Sequence, residues 1–347
     1  MKRALFIAAV LWPLAAGTAW PIDQIYTSTS DRPYFGEIVS MSAITINFKS
    51  HSKDAPGEIP VNEIKRITLE NSPQGLLEAQ KDILDGDYEK ATEALKKENT
   101  EDKRPEVAQE IIFCRAFCMA QLALAGEGDV NVLEAGTQMS NFVKEYPNNY
   151  HYYKACEVVG DLCVVAGKFE FAQTFYGKLS QAPWPDYKIR AQVALGRAFL
   201  AQGDATAADK AFDEALNNDS LGELAETQRI AAHIGKARCM VLHNKTDLAL
   251  NSLGEIMDKL DDKNPEICAM AYNALGTALR KANKPKEAIL AFLHVHLMYD
   301  TQPDAHAEAV ANLEKLFTET HNPGHARDMQ SILQERYRNS RWAKSAK

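Results

Sequence analysis

The sequence predicts a mainly α-helical chain: an α-solenoid of about seven helix pairs, preceded by a small all-β barrel-like domain. Three observations carry this. First, an aliphatic–glycine pair followed by an alanine recurs at Val159-Gly160 to Ala172, Leu195-Gly196 to Ala208, Ile234-Gly235 to Ala249 and Leu275-Gly276 to Ala288. The glycine-to-alanine gap is twelve residues in the first, second and fourth, and fourteen in the third. Second, the alanine extends into a series, Ala91, Ala135, Ala172, Ala208, Ala249, Ala288 and Ala326, at steps of 44, 37, 36, 41, 39 and 38 residues. A unit of this period is one helix pair, which cannot bury its own apolar face and must stack on its neighbours. Third, residues 21–70 alternate apolar and polar with period two instead.

Residues 1–19 read as a signal peptide outside the fold. Lys2 and Arg3 give a positive start, Ala4 to Ala16 is a short apolar run, and Gly17-Thr18-Ala19 offers small residues for cleavage before Trp20. The competing reading is an uncleaved anchor or a short core helix. No later apolar run reads as a membrane span. The expected chain is therefore periplasmic or secreted, with no transmembrane segment after signal removal. Losing Lys2 and Arg3 takes the formal charge from −8 to −10, which makes nucleic acid a poor partner.

The β region, residues 20–71, is built from short runs. Ile44, Ile46 and Phe48 alternate with Thr45, Asn47 and Lys49; Ile59 and Val61, then Ile67 and Leu69, follow the same pattern. Ser30-Asp31-Arg32-Pro33 and Ser52 through Gly57 supply the turns. Strands this short curl into a small barrel more readily than they form a sandwich. Gly36-Glu37-Ile38-Val39 followed by Ala43-Ile44-Thr45-Ile46 resembles the bent strand pair of an SH3-like or Sm-like barrel.

From residue 73 to 335 the chain reads as helix pairs, opening with Leu76–Leu84, a Gly86-Asp87-Tyr88 turn and Glu89–Lys97. The recurrent alanine marks where two helices cross too closely for a larger side chain. Residues 153–183 then carry Val159-Gly160, Cys163, Gly167-Lys168-Phe169, Ala172, Tyr176 and Leu179. This segment resembles a tetratricopeptide repeat, as do residues 190–216 and 270–298. The unit at 226–260 has a two-residue insertion, and the first, second and last units depart further, the second through an overlong first helix from Pro105 to Ala125. The resemblance implies a right-handed superhelix whose first helices line a concave groove for peptides or partner helices. Phe142-Val143-Lys144-Glu145-Tyr146-Pro147-Asn148-Asn149 resembles a junction found in cell-envelope repeat proteins of Gram-negative bacteria.

Helical spacing from the four glycines places Lys154, Arg190, Arg197, Arg229 and Lys236 on the inner face, with Arg280 and Lys281 farther along the fourth first-helix. In so acidic a chain this is a local reversal of sign. Two readings stand: a groove that grips an acidic peptide through arginine forks, or a solvated face paired with nearby acids. The basic segment 336–347, with Tyr337 and Trp342, is a solubilising tail or a contact with a membrane or with the acidic solenoid.

No P-loop, dinucleotide-binding glycine motif, zinc-protease motif or nucleophile elbow is present in the sequence. His294 and His296 point apart on one helix, and Asn322-Pro323-Gly324 interrupts His321 and His325, so no metal or cofactor is expected. Among six cysteines the one geometrically reasonable bridge joins Cys114 or Cys118 to Cys156 or Cys163; unpaired buried thiols are the alternative. The expected function is a non-enzymatic interaction scaffold of the bacterial cell envelope. The runner-up is an accessory subunit whose β module binds peptidoglycan or polysaccharide. An RNA-binding Sm-like role is disfavoured by export and acidity.

Overall fold

The computed structural model describes residues 22–50, 57–220, 222–260 and 264–345. The expected signal peptide and its cleavage point lie outside these residues. Strands β1 (Asp23–Thr27), β2 (Tyr34–Met41), β3 (Thr45–Ser50), β4 (Glu58–Pro60) and β5 (Ile64–Thr68) form one antiparallel sheet in the order β4-β3-β2-β1-β5. Register shifts between Ile38 and Ser40 and between Tyr26 and Thr27 bend it. Among the described residues no ladder joins β4 to β5, which a 3-10 turn at Val61–Glu63 separates. The alternation places Ile38, Ile46, Phe48, Ile59, Ile67 and Leu69 inside, while Ile44 lies just before β3 and is exposed.

The helices follow as pairs: α1 (Gln74–Leu84) and α2 (Tyr88–Leu95), α3 (Pro105–Ala125) and α4 (Val132–Glu145), α5 (Tyr152–Val165) and α6 (Phe169–Leu179), α7 (Pro185–Gln202) and α8 (Ala205–Leu216). Then come α9 (Glu223–Leu242) and α10 (Thr246–Met257), α11 (Pro265–Lys281) and α12 (Pro285–Met298), α13 (Pro303–Glu319) and α14 (Pro323–Glu335), with a short α15 (Arg341–Ser345). Proline opens α3, α7 and α11 through α14, where its missing N–H costs nothing. The turn inside most pairs repeats one left-handed residue: Gly86, Gly167, Gly203, Asn244, Asn283 and His321 all have φ between 58° and 87°.

The spacing seen in the sequence has a steric origin. The seven repeat alanines are buried, and four residues after them stand Tyr176, Phe212, Leu253 and Phe292 in the units at 172, 208, 249 and 288. A Cβ on Gly160 would meet the Tyr176 ring at 2.3 Å, and one on Gly276 the Phe292 ring at 2.7 Å. Phe212 is shared, lying 2.5 Å from such a Cβ on Gly196 and 2.2 Å from one on Gly235. The unit with the insertion supplies only Leu253, so the ring of the preceding unit fills both glycine clefts. Burying a side chain of that size contributes about 1.5–3 kcal/mol.

The β module is fastened to the solenoid. Its core is continuous with Leu76, Ala79, Leu95 and Ile111. Fully buried Asp23 accepts from the N–H groups of Ile38 (3.0 Å) and Glu70 (2.9 Å) and takes both arms of the Arg104 guanidinium at 2.9 and 2.8 Å. Gln80 donates to Ile67 O (3.0 Å), and Asn62 to Asp186 (3.3 Å).

Helix α3 is long and apolar enough to cross a bilayer by length and composition, contrary to the sequence expectation. In the fold it is a core helix in contact with α1, α2, α4, α5 and α13. Its buried Glu110 accepts from Gln80 (3.0 Å) and Tyr150 (3.0 Å) and meets His151 at 3.1 Å. All six cysteines are free thiols.

The stack does not stay open. First helices contact in the order α3, α5, α7, α9, α11, α13, and α13 then packs on α3. Ala125 at the end of α3 shares a buried cluster with Phe292, Ala309 and Tyr337. A Cβ on Gly126 would lie 2.0 Å from Ser340 N, and one on Gly86 2.7 Å from Thr301 O. The segment after α14 is docked instead of trailing free. Tyr337 is fully buried, Arg336 pairs with Glu127 at 2.5 Å, Arg338 with Asp129, and Asn339 donates to Gly126 O (3.2 Å) and Gly128 O (2.8 Å). Six of the seven helix pairs among the described residues, α3 to α14, thus close into a ring, with α1 and α2 packed on α3.

Candidate functional site

Closure turns the expected groove into a cavity of about 370 Å³ at the ring's centre. Its wall is Phe117 and Leu124 from α3; Lys154, Glu157 and Asp161 from α5; Arg197, Ala198 and Ala201 from α7; and Ala231, Gly235 and Arg238 from α9. Met270 and Asn273 from α11, Asp304 and Glu308 from α13, then Arg341 and Trp342 complete it. A recess of about 50 Å³ between α7, α9 and α11 adds Arg190.

The seven sequence candidates divide. Counting from each glycine, α5 and α7 face inward at −6, −3 and +1, which brings Lys154, Arg190 and Arg197 to the interior. Helix α9 faces inward at −4, 0 and +3 instead, one residue out of step. That rotation, about 100° for one residue, turns Arg229 and Lys236 toward α8 and puts Arg238 in the cavity. Arg229 donates to Glu226 (3.0 Å) and to the carbonyls of Asn218 (3.3 Å) and Ser220. Lys236 pairs with Asp209 (3.2 Å) and Asp213. Arg280 reaches Asn312 and Glu319 of α13 at 3.5 and 2.5 Å, and Lys281 is exposed at the end of α11.

Most interior charges are already paired. Arg190 grips Glu157 with two bonds of 2.6 and 2.5 Å, and Lys154 adds a third at 3.2 Å. Burial raises the Glu157 pKa, but Arg190 and Lys154 outweigh it and hold the carboxyl well below the usual range. Arg238 and Glu308 pair at 3.0 Å across α9 and α13. Asp161 accepts from Tyr176 at 2.7 Å; burial lifts its pKa despite the opposing field of Arg197.

Two charged groups, Arg197 and Glu266, and one buried carbonyl, that of Asn273, are left over among the described residues. Arg197 makes no hydrogen bond or ion pair within 4.0 Å among the described residues, although it is open to the cavity's solvent. Burial weakens its hold on the proton, yet Asp161 and Glu266 more than compensate, so it stays charged. Asn273 is fully buried; its Nδ2 donates to Ala305 O (2.8 Å) and Glu308 (3.4 Å), while its Oδ1 has no partner. An orphaned buried carbonyl costs about 1–3 kcal/mol. The cavity wall therefore presents, among the described residues, a cationic fork and a carboxylate without a hydrogen bond or ion pair, while the orphaned Asn273 Oδ1 lies buried behind it.

Asn273, Arg238, Asp304 and Glu308 were not singled out from the sequence. Asn273 had a legible signal, a polar residue three before Gly276 amid Ala269, Ala271 and Ala274. The others depend on the rotation of α9 and on closure. Among the described residues, no group of three or more His, Cys, Asp or Glu side chains is placed to hold a metal. His294 stacks on Tyr272, and His296 Nδ1 meets His306 Nε2 at 2.7 Å.

No family model and no curated protein matches the chain. A crystal structure of a Rap protein complexed with competence and sporulation factor is similar to it with a TM-score of 0.52 at 13% identity, over 78% of this chain and 74% of that one. A tetratricopeptide repeat protein from Parabacteroides merdae gives 0.48 at 14% identity, covering 79% and 98% of the two chains. The Cut9–Hcn1 assembly of APC/C gives 0.47 at 15%, covering 75% and 47%. At such identities the likeness concerns fold. The chain is mainly α, a tetratricopeptide-type solenoid, with a small antiparallel sheet before it.

Proposed function

We propose that this chain is a non-enzymatic protein–protein interaction scaffold of the bacterial cell envelope, holding an extended segment of its partner in the inner cavity. The observation that carries the reading is Arg197, a charged fork on the cavity wall that makes no hydrogen bond or ion pair within 4.0 Å among the described residues. A carboxylate of the partner would complete it with two charge-assisted bonds. The similar Rap protein was solved complexed with competence and sporulation factor, which supports binding as the role of this fold here. Export rests on residues 1–19, and the envelope assignment on the junction at residues 142–149. The test is a crosslinked envelope pull-down with the parent chain, Arg197→Glu and Arg229→Glu. A partner retained by the parent and by Arg229→Glu, and lost by Arg197→Glu, supports the reading. Equal recovery with all three removes it.

A second reading has an observation of its own. Phe35, Val39 and Ile44 are 47%, 64% and 45% exposed on the β module, an aromatic ring able to stack on sugar rings of peptidoglycan or polysaccharide and two aliphatic side chains able to pack on them. Sedimentation with purified sacculi, abolished by Phe35→Ser with Val39→Ser, would favour it over the cavity.

A further inference from the structure

Beyond α14 the chain is held in two unlike ways. Tyr337 is fully buried, its hydroxyl 2.5 Å from His306 Nδ1, and anchors the base of the segment. Past that anchor Ser340 is buried and Trp342 and Ala343 lie half-buried on the same core, while the ion pairs reach solvent. Arg338 pairs with Asp129, the two side chains 50% and 89% exposed, and Arg341 pairs with Asp304 at 2.8 Å, at 41% and 35%. Exposed pairs of this kind hold weakly and are screened by salt. The Trp342 indole N–H donates to the other oxygen of Asp304 at 3.0 Å. Arg341, Trp342 and Asp304 all belong to the cavity wall. The element that seals the ring is therefore also part of the boundary of its interior, and its ion pairs are the solvent-exposed part of its fastening.

We propose that residues 338–345 are a strap that gates the inner cavity, lifting from Asp129 and Asp304 about a fixed Tyr337 anchor to admit the partner segment. The gate rests on the reading of the cavity as the partner's site, but it can be measured without any partner. Asp304 has a particular place in it: one carboxylate holds both strap side chains, so its loss frees Arg341 and Trp342 together.

The test uses the full chain carrying Ala201→Cys on the cavity wall, labelled by a polyethylene-glycol maleimide and read against the same chain without that cysteine. Arg338→Glu with Arg341→Glu should speed labelling roughly tenfold, the combined effect of two exposed pairs. Salt at about 1 M should speed it with the native strap. Arg338→Glu alone should speed labelling by a smaller factor, and adding Asp129→Arg to it rebuilds that pair with its charges exchanged, leaves Asp304 to hold Arg341 and Trp342, and should return labelling toward the slow rate. That recovery also separates strap opening from misfolding. Equal rates in strapped and unstrapped chains overturn the gate, as does a raised rate that the exchanged pair fails to lower. Salt-gated labelling in a chain whose Arg197→Glu variant still captures its partner would leave the strap standing and remove the cavity reading instead.

Discussion

Replacing His306 by glutamine probes how the last helix pair is sealed, and its effect can be worked out beforehand. The His306 ring is 3% exposed. Its Nε2 lies 2.7 Å from His296 Nδ1 on α12, and its Nδ1 lies 2.5 Å from the hydroxyl of Tyr337 beyond α14. Burial, reinforced by the fields of His296 and Arg336, pushes its pKa down to about 3. The unfolded chain carries the ordinary value of about 6.5. Above pH 6.5 neither state binds the proton, and the group leaves stability unchanged. As pH falls below 6.5 the unfolded chain is protonated while the folded one is not, so stability declines by about 1.4 kcal/mol per unit until pH 3. At pH 5 the loss is about 2 kcal/mol. Urea unfolding at pH 7.5 and 5.0 should therefore cost the parent about 2 kcal/mol more than His306→Gln. Titrating groups away from His306 are common to both chains and cancel, and the contribution of His296, which touches it, is removed by making the comparison in chains that both carry His296→Gln. Parallel losses in the two would refute the account of His306 as a neutral, buried link.

Three further outcomes are expected. Phe212→Ala opens both the Gly196 and Gly235 clefts and should lower stability by about 3–5 kcal/mol, with Phe212→Leu costing less; urea unfolding checks both. Asp23→Ala strands the Arg104 guanidinium and two backbone N–H groups, and should cost about 3 kcal/mol, with faster hydrogen exchange in β1, β2 and β5. Arg190→Leu leaves Glu157 buried beside Lys154 alone, so the Glu157 carboxyl should titrate at higher pH, as NMR of its side chain would reveal.

Reading the helix pairs from sequence worked because their cause is local. Gly160 and Tyr176, or Gly276 and Phe292, meet within one unit, so the steric demand is written at a fixed separation along the chain. The same holds for the strands, where a period of two places Ile46, Phe48 and Ile67 on one side. The inner face was legible only in part. Lys154, Arg190 and Arg197 reach the interior because α5 and α7 share one register. Arg229 and Lys236 do not, because α9 is turned by one residue while its unit borrows Phe212 from the neighbour. A rotation of one helix against the next leaves no periodic trace.

What the sequence determined by itself was the repeating unit, the change from strands to helices near residue 73, and the presence of a basic set among many acids. Tertiary structure alone decided that the stack closes, since that depends on small angles between successive pairs accumulating until α13 reaches α3. It also decided which charges remain free. Glu157 takes Arg190 and Lys154, Glu308 takes Arg238, and Arg197 is left facing the cavity with no ion pair among the described residues, an outcome set by distances between residues far apart in the chain.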